Sequence, residues 1–364
     1  MTAQNLTVRS LSATPIAVPM ARPLITSAQT IRTAPLLLID LQTEEGITGR
    51  AYAFCYLPSV ACALQRVVTD LGAFLAGQAV APLALSKAIT RYFKLTGLSG
   101  PLAMVASAVD VAAWDACSIA ADMPLARFLG ASMDPVPAYN SNGLGLIGAQ
   151  AAADEAQELL EGGFKAVKMR MGRPNFSDDL AAVRAVRKRL AGDVALMVDF
   201  NQALTFAKAM QYCPALDGEG VYWIEEPIRH DDYQHAALIA QATETPIQIG
   251  ENFLGLAPTL DAIKASASDY VMFDLDRIGG VTGWRHAAGI AAACGREVST
   301  HLFPEVSAHL LAATPTAHWL EYADWINPVV QEPLKIVDGN AVIPDRSGNG
   351  LVWDDAAVAK YKLA

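Results

Sequence analysis

From about residue 136 the chain alternates short β-rich runs with helical stretches, and nothing else in the sequence restricts the fold so strongly. The runs are VPAYNS, FKAVKMRMG, VALMVDFNQ, VYWIEEP, PIQIGEN, DYVMFDL, EVSTHLF and HWLEY, with amphipathic segments such as Asp178–Leu190 and Val281–Cys294 between them. A helix after each strand carries the chain back to the end where the next strand starts, so the strands pair in parallel. A series of this length predicts closure into a β/α barrel. The preceding part reads differently. Ala34–Phe54 is two apolar runs around Glu44-Glu45-Gly46, a hairpin signal. Helical periodicity follows near Val60–Leu75, Leu83–Phe93 and Met104–Ala121. After Trp325 the chain is richer in Pro and Gly and ends in short strands, expected to pack back on the first part. The expected class is α/β: an α+β capping domain over 1–130, a modified (β/α)8-type TIM barrel over 131–325, and a C-terminal segment over 326–364 that completes the cap.

Composition narrows the setting. A chain of 364 residues that is 52% hydrophobic and only 18% charged has little surface charge, so buried subunit contacts and a homo-oligomer are expected. A formal charge of −10 argues against nucleic acid or an anionic membrane as partner. The five cysteines (Cys55, Cys62, Cys117, Cys213 and Cys294) are scattered, with no CxxC pair, as in a reducing compartment. Met1–Ser12 lacks a basic start followed by an apolar block, so no signal peptide is expected. The apolar stretch Pro101–Ala121 is interrupted by Asp110 and Asp115, which argues against a membrane span. A cytoplasmic enzyme is the expectation.

Each barrel run is apolar until its C-terminal end, where an ionisable residue stands: Lys168 and Arg170, then Asp199, Glu225, Glu251, Asp274, His301 and Glu321. The intervals are about 20 to 31 residues, one βα unit each, so these side chains converge on the rim where β/α barrels build active sites. A single acidic strand end is often just a cap for the next helix, but a run of them is not explained that way. Asp199, Glu225 and Glu251 together would repel one another unless a cation sits among them, and an oxygen-only set suits Mg²⁺, with Mn²⁺ as a substitute. Glu226 is expected to point away and to be structural. Asp274 and His301 stand on adjacent strand ends, as a carboxylate-oriented general base requires. Lys168 and Arg170, two apart on one strand, both face the barrel interior as a carboxylate-binding, proton-handling pair. Glu321 is a candidate hydrogen-bond donor to substrate, provided its neighbours keep it protonated. His230, His235, His286, His309 and His318 have no such partner in the sequence and read as structural. The chemistry that uses all these parts is enolisation of a small carboxylate.

At these residues the chain resembles the enolase superfamily, and within it the mandelate racemase subgroup. The likeness runs from TAPLLLIDLQTEEGITGRAY through VKMRMG, MVDFNQ, WIEEP, IGEN and IGGVTGW to STHLFPEVSAHLLAATPTAHWLE and GNAVIPD. The resemblance implies Mg²⁺ on Asp199, Glu225 and Glu251, an Asp274–His301 dyad, and Lys168 and Glu321 on the substrate carboxylate. It further implies Asn201 near the α-hydroxyl, Ser141 at the end of the first barrel strand, and a mobile covering loop at Leu24–Arg32 that includes Ile31. Phe54 and Tyr56 are the implied aromatic contacts from the cap, and an octamer the implied assembly.

One position departs from the pattern. The subgroup's racemase carries Lys-x-Lys on the second barrel strand, whereas Lys168-Met169-Arg170 stands here. Arginine stays protonated and grips oxyanions rather than accepting protons. The expected reaction is therefore one-base dehydration of a hydroxy or sugar acid led by His301. Racemisation of mandelate or a related 2-hydroxy acid is the alternative. Arg32, where the racemase has a small residue, suggests a more polar or doubly anionic substrate, while Leu24, Ile31, Phe54 and Tyr56 keep much of the wall apolar. A Schiff-base aldolase on Lys168 gives no role to the carboxylates. A degenerate homologue kept for binding is the non-enzymatic alternative.

Overall fold

The computed structural model describes residues 6–363, so the first residues of the stretch read for a leader lie outside it. In the cap, β1 (Val8–Ile25), β2 (Thr30–Thr43) and β3 (Thr48–Phe54) form an antiparallel sheet in that order. The turn at Glu44-Glu45-Gly46 lies where the two apolar runs meet, with Gly46 at φ +83°. Three helices follow, α1 (Pro58–Leu75), α2 (Pro82–Tyr92) and α3 (Pro101–Ala120). Each begins one to three residues before the apolar periodicity does, because a proline occupies its first turn, where a missing N–H costs nothing. Gly49 allows β3 to lie directly on α3: a Cβ there would meet the Ala112 carbonyl oxygen at 2.0 Å.

All eight barrel strands form: β4 (Val136–Asn140), β5 (Ala166–Arg170), β6 (Ala195–Asp199), β7 (Val221–Glu225), β8 (Ile247–Ile249), β9 (Tyr270–Asp274), β10 (Val298–His301) and β11 (Leu320–Tyr322). β4 to β10 pair in parallel in chain order, and β11 returns to pair with β4. The ring closes between β10 and β11, where Thr300 N–H donates to the Trp319 carbonyl at 2.9 Å. Tyr139, Ala166, Met197 and Trp223 fill the interior below the rim that carries the ionisable strand ends.

Helix α3 is long and apolar enough to cross a membrane by length and composition, but 72% of its apolar window is buried inside the fold. Its two carboxylates are structural acceptors. Asp110 takes the Thr282 N–H (2.9 Å) and hydroxyl (2.6 Å) from the barrel. Asp115 takes the N–H groups of Arg50 (2.7 Å) and Asn349 (2.6 Å). Burial pushes each carboxyl up to about 7.

The C-terminal segment packs on the barrel as well as on the cap, where only the return to the cap was read from the sequence. The hairpin of β12 (Lys335–Val337) and β13 (Asn340–Val342) pairs antiparallel with the start of β4, whose N-terminal residues protrude below β11. The later residues reach the cap, where Trp353 Nε1 donates to Asp40 at 2.8 Å and Leu363 N–H to the Pro15 carbonyl at 2.9 Å.

His309, which has no partner in the sequence, is fully buried between these parts. Its Nδ1 accepts the Ala126 N–H at 3.1 Å, so Nε2 donates to the Asn349 carbonyl at 3.2 Å. Burial pushes its pKa down to about 4. The unfolded chain takes up this proton near pH 6.5, so the stability His309 contributes is intact above that pH and is lost as pH falls toward 4. By pH 5 the loss amounts to about 2 kcal/mol. Urea midpoints of the wild type and His309→Gln at pH 7 and 5 test this, since Asp110 and Asp115 act in the opposite sense in both proteins. The wild type should lose stability relative to the variant; parallel changes would refute it.

Candidate active site

Strand register assembles the site. Arg170, Asp199 and Glu225 are direct partners across β5, β6 and β7, and His301 is the direct partner of Asp274 across β10 and β9. Glu251 arrives differently. β8 ends at Ile249, and Gly250 (φ +130°) turns the chain so that Glu251 faces the other two acids. A Cβ on Gly250 would meet the Met272 carbonyl oxygen at 2.4 Å, so the turn needs glycine. One oxygen from each of Asp199, Glu225 and Glu251 lies within 4.8 Å of the others, and all three residues are buried.

Burial first, and then mutual repulsion, raises the Asp199 carboxyl and brings that of Glu225 up to about 8, although Lys168 opposes both shifts. Carboxylates that resist ionisation for this reason are relieved by a cation, and an all-oxygen set of this kind fits Mg²⁺. Glu226 does not share the ion's space. It has φ +38°, is buried, and both its oxygens accept from Asn252 Nδ2 at 2.9 Å.

Lys168 Nζ lies 2.8 Å from Glu225 Oε1, 2.8 Å from Glu321 Oε1 and 3.6 Å from Asp199 Oδ2. Burial alone would lower its pKa, but these acids outweigh it and hold the ammonium charged. Arg170 is tied down. Its Nη1 donates to the carbonyls of Ser141 (2.8 Å) and Gly143 (3.3 Å), and its Nη2 to Ser141 Oγ (2.9 Å). Ser141 Oγ in turn donates to Glu321 at 2.6 Å, so Ser141 stands behind the site as a relay and does not line the cavity.

Glu321 corrects an expectation. It was to be a neutral donor, but Lys168, Ser141 and the Leu302 N–H (2.8 Å) all point donors at it. Although burial pushes the other way, Lys168, His301 and Arg170 hold its carboxyl well below the usual range. It is an acceptor that fixes Lys168, and it too is absent from the cavity wall.

His301 Nδ1 is 2.6 Å from Asp274 Oδ2, and Nε2 is 3.3 Å from Glu251 Oε2. Burial lowers its pKa, but Glu251, Glu321 and Asp274 outweigh that and raise it to about 9. The other Asp274 oxygen accepts the Arg277 N–H at 3.0 Å, which fixes the dyad's orientation.

These groups open on a cavity of about 200 Å³. Leu24, Ile31, Phe54 and Tyr56 line it from the cap, with Phe54 packed against Trp325 at a centroid distance of 5.0 Å. Asn201 lines it too. Its amide nitrogen and N–H bond Asp199 at 2.9 and 2.7 Å, which leaves its buried Oδ1 without a partner. Arg32 does not line it. Side chains alternate along β2, so with Ile31 turned inward Arg32 faces solvent, and it gives no evidence about the substrate's charge. The covering segment is a tight hairpin tip rather than a long loop. Leu24 pairs with Ile31, and Thr26 Oγ1 accepts the N–H groups of Ala28 and Gln29. Sequence reasoning missed Arg277, Trp325, Leu302, Gln202 and Asn252 in the wall. Arg277, Gln202 and Asn252 carried a signal, as polar residues just beyond assigned strand ends.

A barrel whose C-terminal rim joins a carboxylate triad to a His–Asp dyad defines a divalent-metal-dependent enzyme. The chain belongs to the enolase superfamily, in the mandelate racemase subgroup: residues 10–130 match the N-terminal domain of the mandelate racemase / muconate lactonizing enzyme family, and residues 151–357 its enolase C-terminal-like domain. It is 34% identical to L-talarate/galactarate dehydratase of Salmonella typhimurium over 72% of this chain and 66% of that one. It is 30% identical to 3,6-anhydro-alpha-L-galactonate cycloisomerase of Streptomyces coelicolor over 88% and 89% of the two chains. Among solved structures, an enolase from alpha proteobacterium BAL199 with bound magnesium superposes with a TM-score of 0.96 at 44% identity, covering 98% of this chain and all of that one. A Bradyrhizobium enolase complexed with magnesium and mandelic acid superposes with a TM-score of 0.95 at 38% identity over the whole of both chains. The protein is thus an enzyme of lyase or isomerase type, and its buried acidic triad is suited to Mg²⁺, the ion bound in these neighbours.

If the triad holds the ion, Mg²⁺ at one hundred times its dissociation constant stabilises the fold by about 2.7 kcal/mol. Asp199→Asn is expected to remove that stabilisation and to weaken binding by more than the roughly ten- to hundredfold typical of outer-shell partners. Thermal melts with and without Mg²⁺, alongside calorimetric titration, measure both. An unchanged affinity would place the ion elsewhere.

Proposed function

We propose that the enzyme removes the α-proton of a 2-hydroxycarboxylate with His301 as its one base and then expels a β-hydroxyl, dehydrating a hydroxy or sugar acid to a 2-keto acid. The observation that carries this reading is the locking of Arg170. Two nitrogens of its guanidinium are committed to Ser141 and Gly143, so the face opposite His301 presents a fixed cation and no proton acceptor. The dehydratase relative from Salmonella typhimurium is in keeping with it.

The metal held by Asp199, Glu225 and Glu251 supplies Lewis-acid stabilisation of the charge that builds on the substrate carboxylate. The chain's own groups do the rest. Asp274 keeps His301 in the tautomer whose Nε2 faces the cavity. With a cation on the triad offsetting the Glu251 charge that raises His301, Nε2 is free to take the proton from the α-carbon, and the electron pair left behind spreads onto the carboxylate. The charged Lys168 ammonium, itself a wall of the cavity, offsets that charge. The imidazolium then returns its proton to the departing β-hydroxyl. Water leaves, and the enol tautomerises to the 2-keto acid. Glu321 acts through Lys168, and the free Oδ1 of Asn201 is an acceptor for a substrate hydroxyl.

A second reading is exchange or racemisation at an aryl 2-hydroxy acid. The apolar wall of Leu24, Ile31, Phe54, Tyr56 and Trp325 favours it, as does the mandelic acid held by the Bradyrhizobium neighbour. Schiff-base chemistry on Lys168 is disfavoured, because an ammonium clamped between Glu225 and Glu321 is no nucleophile.

Incubating aldonic, aldaric and aryl 2-hydroxy acids with enzyme and Mg²⁺ in D₂O separates the readings. Loss of the α-proton signal with stoichiometric 2-keto acid supports dehydration, and loss of optical rotation without keto acid supports racemisation. His301→Asn should reduce exchange at least about 10³-fold, within the range general bases supply. Undiminished exchange in that variant would move the base elsewhere.

A further inference from the structure

One side chain at the site has no part in the chemistry above. Arg277 lies in the short helix Leu275–Ile278 that follows β9, and several elements meet on it. Its N–H donates to Asp274 Oδ1 at 3.0 Å, on the carboxylate whose other oxygen holds His301. Its Nη1 donates to the backbone carbonyl of the triad residue Glu251 at 2.9 Å and stands 3.8 Å from Glu251 Oε1. Its Nη2 donates to Tyr56 Oη at 3.0 Å, with the guanidinium 5.6 Å from the centre of that ring.

Tyr56 belongs to the cap, two residues beyond β3. Its φ of +59° is a left-handed conformation that costs an aromatic residue energy. That conformation delivers the phenol to Arg277. The same short helix grips the cap a second time, since Asp276 Oδ2 accepts the Phe54 N–H at 3.1 Å. Arg277 also borders a separate cavity of about 150 Å³ between α2, α3 and residues 254–255. Open space on that side means that hydrogen bonds, rather than close packing, set where the guanidinium lies.

We propose that Arg277 is a positioning residue that couples the seating of the cap, through Tyr56, to the orientation of the metal ligand Glu251 and of Asp274. A guanidinium is a rigid planar fork, so it cannot follow Tyr56 with one nitrogen without moving the other on Glu251. Lysine offers a single point charge and cannot hold both acceptors in one geometry. The inference rests on reading Asp199, Glu225 and Glu251 as the metal ligands. Coupling between two sites is reciprocal, so Mg²⁺ bound at the rim must steady the cap as much as the seated cap favours Mg²⁺.

Amide hydrogen exchange of the full chain, with and without saturating Mg²⁺ and no substrate, tests the link. In the wild type Mg²⁺ is expected to slow exchange across residues 52–57 by about tenfold, in the usual range of coupling between sites. In Arg277→Lys and in Tyr56→Phe, with Mg²⁺ uptake verified by calorimetry, that slowing should fall below about twofold. Tyr56→Phe keeps the ring and reads the link from the cap side if the arginine variant does not fold. Protection that persists in the variants, or that is absent from a wild type that binds Mg²⁺, overturns the coupling. A wild type that binds no Mg²⁺ overturns the metal reading itself and the coupling with it.

Discussion

The barrel rim gathers more negative charge than its own cations neutralise. Asp199, Glu225, Glu226, Glu251, Asp274 and Glu321 are all buried there, against Lys168, Arg170, His301 and Arg277. Removing a carboxylate from water without a partner is costly, so an arrangement like this is tenable only if a further cation joins it or protons do. The raised Asp199 and Glu225 carboxyls express that deficit, and a divalent ion meets it with the charge that proton abstraction next to a carboxylate also requires. Much of the local structure serves to hold the acids together against their repulsion. Strand register sets Asp199 beside Glu225, and Gly250 bends the chain so that Glu251 closes the triangle.

The arginine at position 170 does more than remove a second base. Its fork engages Ser141, Ser141 donates to Glu321, and Glu321 holds Lys168 against Glu225. A chain of charge-assisted hydrogen bonds of this kind is stiff, and each member fixes the protonation state of the next. Glu321 therefore faces three donors where the sequence suggested a neutral donor to substrate. Asymmetry between the two faces of the cavity thus extends through four residues.

The eight barrel strands were legible because parallel βα units repeat a simple grammar, an apolar run closed by one ionisable residue. That grammar also located the triad and the dyad, since the C-terminal ends of parallel strands meet on one rim. The cap's hairpin and three helices were legible from periodicity, with only their starts displaced to Pro58, Pro82 and Pro101. What could not be read depends on partners far away in sequence. The donors that face Glu321 include Ser141, 180 residues away. Arg277 gains its place from Tyr56, 221 residues earlier, and Trp325 gains its own by packing on Phe54. Arg32 was misjudged because a segment taken for a loop is paired strand, where alternation rather than proximity decides which side chains reach the cavity. The pairing of β12 and β13 with the barrel was not legible in the C-terminal segment, because the free start of β4 appears only once the barrel has closed.

The barrel brings the chemistry and the cap brings the walls, so the site exists only when the two are in register. Beside a shared apolar core, their contacts include buried ionisable groups: Asp110 on Thr282, Glu305 on the Tyr52 hydroxyl at 2.8 Å, Asp276 on the Phe54 N–H and Arg277 on Tyr56. An apolar interface of the same extent would tolerate small slips at little cost, because burial has no direction. Hydrogen bonds to buried carboxylates do not, since a slip of an ångström leaves a desolvated acceptor without its donor. Three of these contacts also reach β3 or the two residues beyond it, where Phe54 and Tyr56 face the cavity. Specificity in the seating of the cap therefore becomes specificity in the shape of the pocket, and a cavity of about 200 Å³ leaves little room for the two to be set independently.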